Sequence, residues 1–254
     1  MPLVLLNRVL LVCFVVFAAS VLKAQQFNAL LITETAGWHH ESITAAVPAL
    51  EGLAERHHFG LDRYQSGEPL TAKLLARYDV IIMVNTTGDI FTEQEQAAFE
   101  AFIRSGKGFV GVHAASDTEY DWPWYTQLVG RMLVIHPAIQ TAMLDVADTN
   151  FPGLANWPKR LLWTDEWYEF SEEKVAGLHY LLSVDESTFD PEADWGRVAG
   201  KGMGDFHPIA WYHEFAGGRS FYTALGHIPA VYQERLFLEH LYGGIYWAAT
   251  GRGL

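Results

Sequence analysis

Four stretches of the chain place histidine where an apolar strand pattern ends: Trp38-His39-His40, Val112-His113, Ile135-His136-Pro137 and Gly226-His227. Imidazole titrates near neutral pH, so each can serve as general acid, general base or metal ligand. His113 is the most pointed case. It follows Gly108-Phe109-Val110-Gly111-Val112, where many α/β enzymes carry a nucleophile on a sharp strand-to-helix turn. One histidine at a strand end is most often a hydrogen-bonded structural residue; several at strand ends point to a shared site.

The carboxylates concentrate in Trp163-Thr164-Asp165-Glu166-Trp167-Tyr168-Glu169-Phe170. On a continuous strand, alternation puts Asp165 and Glu169 on one face and Glu166 on the other. A buried carboxylate is costly unless paired, so these side chains are expected to face a cleft. Glu166 flanked by Trp167 and Tyr168 suits an acid–base group beside a sugar ring. Asp117 either orients His113 or caps the following helix. Trp38, Trp122, Trp124, Trp163, Trp167, Trp195 and Trp211 lie near loops or site strands, where indole faces suit sugar rings or pack the sheet edges; Trp38 and Trp211 are the ones expected to stack on the ring. There is no HExxH or CxxC, so a zinc site would have to assemble from distant residues such as His39, His113, His227 and a carboxylate. No metal and no other cofactor is assigned from the sequence. His57 and His58 close a helix, where their charge is favourable. His179, His207, His213 and His240 are expected to be structural.

Composition narrows the partners. Seventeen Lys and Arg against 30 Asp and Glu give a formal net charge of −13, which argues against nucleic acid. Neither GxxxxGK[ST] nor GxGxxG follows the first strand, so nucleotide-driven chemistry is not expected. Arg8 precedes the apolar run Val9 to Ala19, and small Ala24 follows. This is the pattern of a signal peptide over residues 1–24, leaving residues 25–254 as one domain in the periplasm or secreted. The run is short of the roughly 20 apolar residues of a membrane anchor. Cys13, the only cysteine, lies in that run, so the mature chain has no disulfide, thiol nucleophile or thiolate ligand.

The elements that must position these residues alternate in type. Ala29–Thr33, Phe59–Tyr64, Asp79–Val84 and Phe109–Val112 read as strands, separated by helices over Ile43–Arg56, Thr71–Ala76 and Thr92–Ile103. Thr92 with Glu95 forms a capping box. Such alternation implies a parallel sheet covered on both faces, with ligands at the carboxyl ends of its strands. The second half is richer in strands: Ile139–Val146, Leu161–Phe170, His179–Val184, Ile209–Phe215 and Arg219–Leu225. Gly217-Gly218 marks a hairpin, and Gln233–Ala249 is a closing helix. Gly200-Lys201-Gly202-Met203-Gly204 reads as a mobile loop over a site.

Taken together, "GFVGVHAASDTEYDWPWYTQLVG", His136-Pro137, "TDEWYEF" and "PIAWYHEFAGGRSFYTALGH" resemble the ThuA-like, trehalose-utilisation family from about Leu30 to Trp247. The resemblance implies the fold of class I glutamine amidotransferases, a flavodoxin-like three-layer α/β sandwich with a mainly parallel central sheet. Amidotransferases of that fold carry a cysteine where this chain has His113, so glutaminase activity by that route is not expected. The family's association is with disaccharides and their oxidised, 3-keto forms. The motif positions that carry over are His113, Asp117, His136, Glu166, Trp211 and His227, with Trp38 and His39. The expected assignment is acid–base chemistry on a small carbohydrate by His113, Glu166 and His227. Trp38, His39, Asp117, His136, Tyr168 and Trp211 would contact the substrate. A non-catalytic sugar-binding module and a metal-dependent hydrolase remain the alternatives, and the sequence leaves the oligomeric state open.

Overall fold

Short apolar runs between amphipathic helices build the first half of the chain in a computed structural model that describes residues 25–253. The expected signal peptide lies outside the described residues. β1 (Asn28–Ile32), α1 (Ile43–His57), β2 (Gly60–Arg63), α2 (Ala72–Leu75), β3 (Val80–Val84), β4 (Thr87–Gly88), α3 (Glu93–Arg104) and β5 (Gly108–Val112) follow in order. Every residue of β3 and β5 is buried, as strands covered on both faces require. α3 begins at the expected capping box, with Thr92 and Glu95 each accepting the other's backbone N–H.

The second half adds β6 (Asp117–Thr118), α4 (Pro123–Val129), β7 (Leu133–Ile135), β8 (Gln140–Val146), β9 (Arg160–Asp165), β10 (Glu169–Phe170) and β11 (His179–Asp185). β12 (Ala193–Asp194), β13 (Ala199–Gly200), β14 (His207–Phe215), β15 (Gly218–Thr223) and α5 (Arg235–Thr250) complete it. The main sheet has nine strands in the order β2-β1-β3-β5-β15-β14-β11-β8-β9. Neighbours from β2 to β15 are parallel; those from β15 to β9 are antiparallel. The expected α/β sandwich is present, and its parallel part is extended on one side by antiparallel strands. Gly108 lies so close to the Ala248 carbonyl of α5 that a Cβ there would clash. The next residue, Phe109, packs on Phe99 of α3 at 6.2 Å. Helices therefore cover opposite faces of β5. Among the described residues no helix is long and apolar enough to cross a membrane.

Two local expectations shift. The β14–β15 hairpin turns on Ala216 and Gly217, both at positive φ, and Gly218 already pairs with Phe215. The stretch expected as one strand to Phe170 stops at Asp165, whose own carboxylate accepts the Glu166 N–H and turns the chain off the ladder. Each step from β15 to β9 reverses direction, and four reversals leave β9 pointing the same way as β5 and β15. Its carboxyl end at Asp165 therefore lies on the same rim as His113.

Candidate functional site

β5 delivers His113 to the rim in a left-handed conformation, φ 50°, at the start of a single 3-10 turn, residues 113–116. A non-glycine residue there is strained, and such strain concentrates at functional sites. The turn is braced from below. The Tyr222 hydroxyl donates to the His113 carbonyl at 2.7 Å, and Ser116 Oγ lies 2.8 Å from that hydroxyl. The His113 ring is fully buried. Its Nδ1 is 2.8 Å from the Ala224 carbonyl, which can only accept, so Nδ1 carries the proton. Nε2 lies 2.7 Å from the Tyr168 hydroxyl and 3.0 Å from His227 Nδ1.

Glu166 is the hub. Its Oε2 is 3.1 Å from His227 Nδ1 and 3.4 Å from His113 Nε2. Its Oε1 is 3.1 Å from His136 Nδ1. His40 completes the cluster edge-on, its ring centroid 5.0 Å from that of His113 and 5.4 Å from that of His227. Four ladder steps separate β9 from β15, about 19 Å in a flat sheet. Yet Asp165 accepts the N–H groups of Gly226 at 2.9 Å and His227 at 3.1 Å. The antiparallel half therefore curls back over the rim, and Asp165 fixes the loop that carries His227.

The electrostatics follow from burial and contact. Burial alone would raise the Glu166 carboxyl, but hydrogen bonds from His113, when its Nε2 is also protonated, and from His227, with the charges of His113 and His136, hold it far below the usual carboxylate range. Burial opposes charge on His227 too, yet the Glu166 hydrogen bond and charge raise its pKa above the ordinary histidine value. His40 falls to about 3, through burial first and the neighbouring His113 and His227 second. Burial also lowers His136 despite the pull of Glu166. Burial raises the Asp165 carboxyl against its hydrogen bonds. One carboxylate among four imidazoles can store and pass a proton, or hold a cation.

The structure gathers His113, Glu166, His227 and His136, and it moves other expected residues elsewhere. His39 is exposed, and its neighbour His40 takes the inward position. Trp211 is fully buried, donating its indole N–H to the Val129 carbonyl at 2.7 Å and packed on Tyr222. It sits in the middle of β14, where no sugar can stack on it. Tyr168 is buried beneath the cluster, its hydroxyl on His113 and its ring stacked under His136 at 5.4 Å, so it supports the histidines and is not itself exposed to a substrate. Asp117 neither orients His113 nor caps α4; it faces the Tyr120 hydroxyl at 3.0 Å. Trp38 is 73% exposed, two residues before His40. The glycine-rich loop is pinned, with the Gly202 N–H on Glu169 and those of Met203 and Gly204 on Glu186.

Two of the residues gathered here, His40 and Asp165, take roles that local sequence does not signal. His40 differs from His39 only in the direction its backbone turn imposes. Asp165, expected to face a cleft, instead accepts three backbone N–H groups, two of them in the loop after β15. Trp195, one of the tryptophans the sequence places near loops, is half exposed and edge-on to His136 at 4.7 Å.

Comparison with known proteins adds the following. The family model described as trehalose utilisation (ThuA) matches residues 28–248. A ThuA-like protein from Bacteroides uniformis superposes with TM-score 0.72 at 23% identity, over 91% of this chain and 95% of that one. One from Parabacteroides merdae gives 0.70 at 19% identity, over 89% and 91%. A β-galactosidase from Bacillus circulans sp. alkalophilus gives 0.54 at 14% identity, over 86% of this chain and 30% of that one. At these identities the likeness speaks for the fold. No curated protein matches the sequence.

Proposed function

We propose, from the premise that this chain belongs to the ThuA trehalose-utilisation family, that it acts on a disaccharide or 3-keto glycoside by proton transfer at the Glu166 cluster. The family ties the chain to carbohydrate metabolism. The observation that carries the finer reading is a single buried carboxylate meeting three imidazoles on one rim of the sheet. His136 and His227 are its solvent-reaching members, with side chains 25% and 24% exposed. Proton exchange with a substrate passes through them, while buried His113 and Glu166 set their state.

In a 3-keto glycoside the carbonyl acidifies the adjacent C–H. A histidine takes that proton, the electron pair forms a C=C bond, the glycosidic C–O bond breaks, and the departing oxygen collects a proton from the acid partner. No oxidant is needed. Trp38 and Trp195 offer exposed aromatic faces for the ring. The leader pattern in residues 1–24 supports export to the periplasm or beyond.

The test is incubation of the purified protein, residues 25–254, with trehalose, other disaccharides and their 3-keto forms, followed by mass spectrometry of products. Release of a monosaccharide from one of them is expected. Sugar binding without turnover of any would replace this reading with a binding module.

A further inference from the structure

We infer that His40, His113, Glu166 and His227 form a binding site for one divalent transition-metal ion of zinc type. One ligand atom from each lies within 4.8 Å of all the others. Three of them already form a tight triangle: His113 Nε2 to His227 Nδ1 is 3.0 Å, His227 Nδ1 to Glu166 Oε2 is 3.1 Å, and Glu166 Oε2 to His113 Nε2 is 3.4 Å. Tetrahedral ligands about 2.0–2.1 Å from a zinc ion are about 3.3 Å apart, so the triangle is one face of such a site.

The orientation of the donors agrees. His113 Nδ1 is spent on the Ala224 carbonyl, which turns the Nε2 lone pair toward the triangle. This is the arrangement found for ligating histidines, whose second nitrogen is fixed by a carbonyl or carboxylate. Glu166 Oε2 belongs to the triangle while Oε1 is held by His136 from outside it. With Nδ1 protonated, the Nε2 lone pair is shared between the Tyr168 hydroxyl at 2.7 Å and the triangle, where it faces Oε2 at 3.4 Å. His40 is 6% exposed, and its Nδ1 is buried with no hydrogen-bond partner. Three nitrogens and one carboxylate oxygen suit zinc, cobalt, iron, nickel or manganese; calcium and magnesium prefer oxygen throughout.

The site rests on the proposed function for its substrate and not for its existence. With the ion in place all four tetrahedral positions are taken by protein, so a keto oxygen approaching past His227 would enter as a fifth ligand before the ion could act as a Lewis acid. His136, outside the ligand set, would remain to move the proton.

The experiment removes metal from the folded protein with a chelator, then titrates it with Co²⁺ and next with Zn²⁺. One equivalent of Co²⁺ is expected to give a visible ligand-field band that one equivalent of Zn²⁺ abolishes, with one metal per chain retained after desalting. Glu166→Gln and His40→Ala should each weaken binding at least about tenfold. His39→Ala, an exposed neighbour, should leave it unchanged, and so should Tyr168→Phe, which removes only the hydroxyl that otherwise meets Nε2. Circular dichroism identifies the folded variants that count; if His40→Ala fails to fold, Glu166→Gln decides. Absence of the band in folded protein overturns the site, as does equal loss on His39→Ala and His40→Ala. Stoichiometric metal without sugar turnover keeps the site and sinks the proposed function. Sugar turnover by folded protein that gives no band does the reverse.

Discussion

His113 and His240 are both fully buried, in two regions that treat the same side chain in opposite ways. At the rim of the sheet both ring nitrogens of His113 are engaged, by Ala224, Tyr168, His227 and Glu166. Within α5 neither ring nitrogen of His240 has a partner. That ring lies against Phe221 at 5.2 Å and Trp157 at 5.6 Å, a flat filler in an aromatic layer. Burial therefore says little about what a histidine does. What separates the two is convergence: strand ends aim polar groups from distant parts of the chain at one point, whereas a helix packed on a sheet aims apolar ones.

The sharpest way to break this contrast is to change one member of each region. Glu166→Gln keeps the shape of the cluster and removes its charge, and turnover of whichever sugar is a substrate should fall at least about 100-fold. His240→Phe should leave turnover intact. Equal losses in the two variants, measured by product release, would erase the distinction.

The tryptophans offer a second contrast. Trp211→Ala empties a buried site and should cost about 3–5 kcal/mol in urea unfolding. Trp195→Ala, beside His136, and Trp38→Ala, two residues before His40, should leave stability unchanged and raise KM about fivefold with kcat held, as loss of about 1 kcal/mol of ring stacking requires.

The last contrast concerns pH. Burial pushes His240 down to about 3 from an ordinary 6.5. The stability of its neutral form is complete above pH 6.5 and is lost as pH falls toward 3. Between pH 6.5 and 4.5 this amounts to about 2–3 kcal/mol at most. His240→Phe should flatten that part of the acid limb in urea midpoints taken across the range. An unchanged limb would mean that His240 is not neutral in the fold.

Local pattern carried much of the fold. The buried runs of β3 and β5 and the Thr92–Glu95 capping box were legible because each depends on a few consecutive residues. The positions of His113, Glu166, His136 and His227 were legible as polar residues where strand patterns end. The choice of His39 over His40 was not, because adjacent residues share every local signal and differ only in where the turn before α1 points them. Trp211 was misplaced for a similar reason: its apolar strand gave no sign of how deep in the sheet it lies.

By itself, then, the sequence determined the order and type of the elements, the absence of a thiol after residue 24 and the identity of most groups on the rim. The tertiary structure decided that they meet. Ala224 reaches His113 across 111 residues, and Gly226 reaches Asp165 across 61. Contacts that distant depend on strand order, on the even number of reversals between β15 and β9, and on the curl that closes about 19 Å. None of these is a property of any short stretch of chain; each is settled only when the whole sheet has paired.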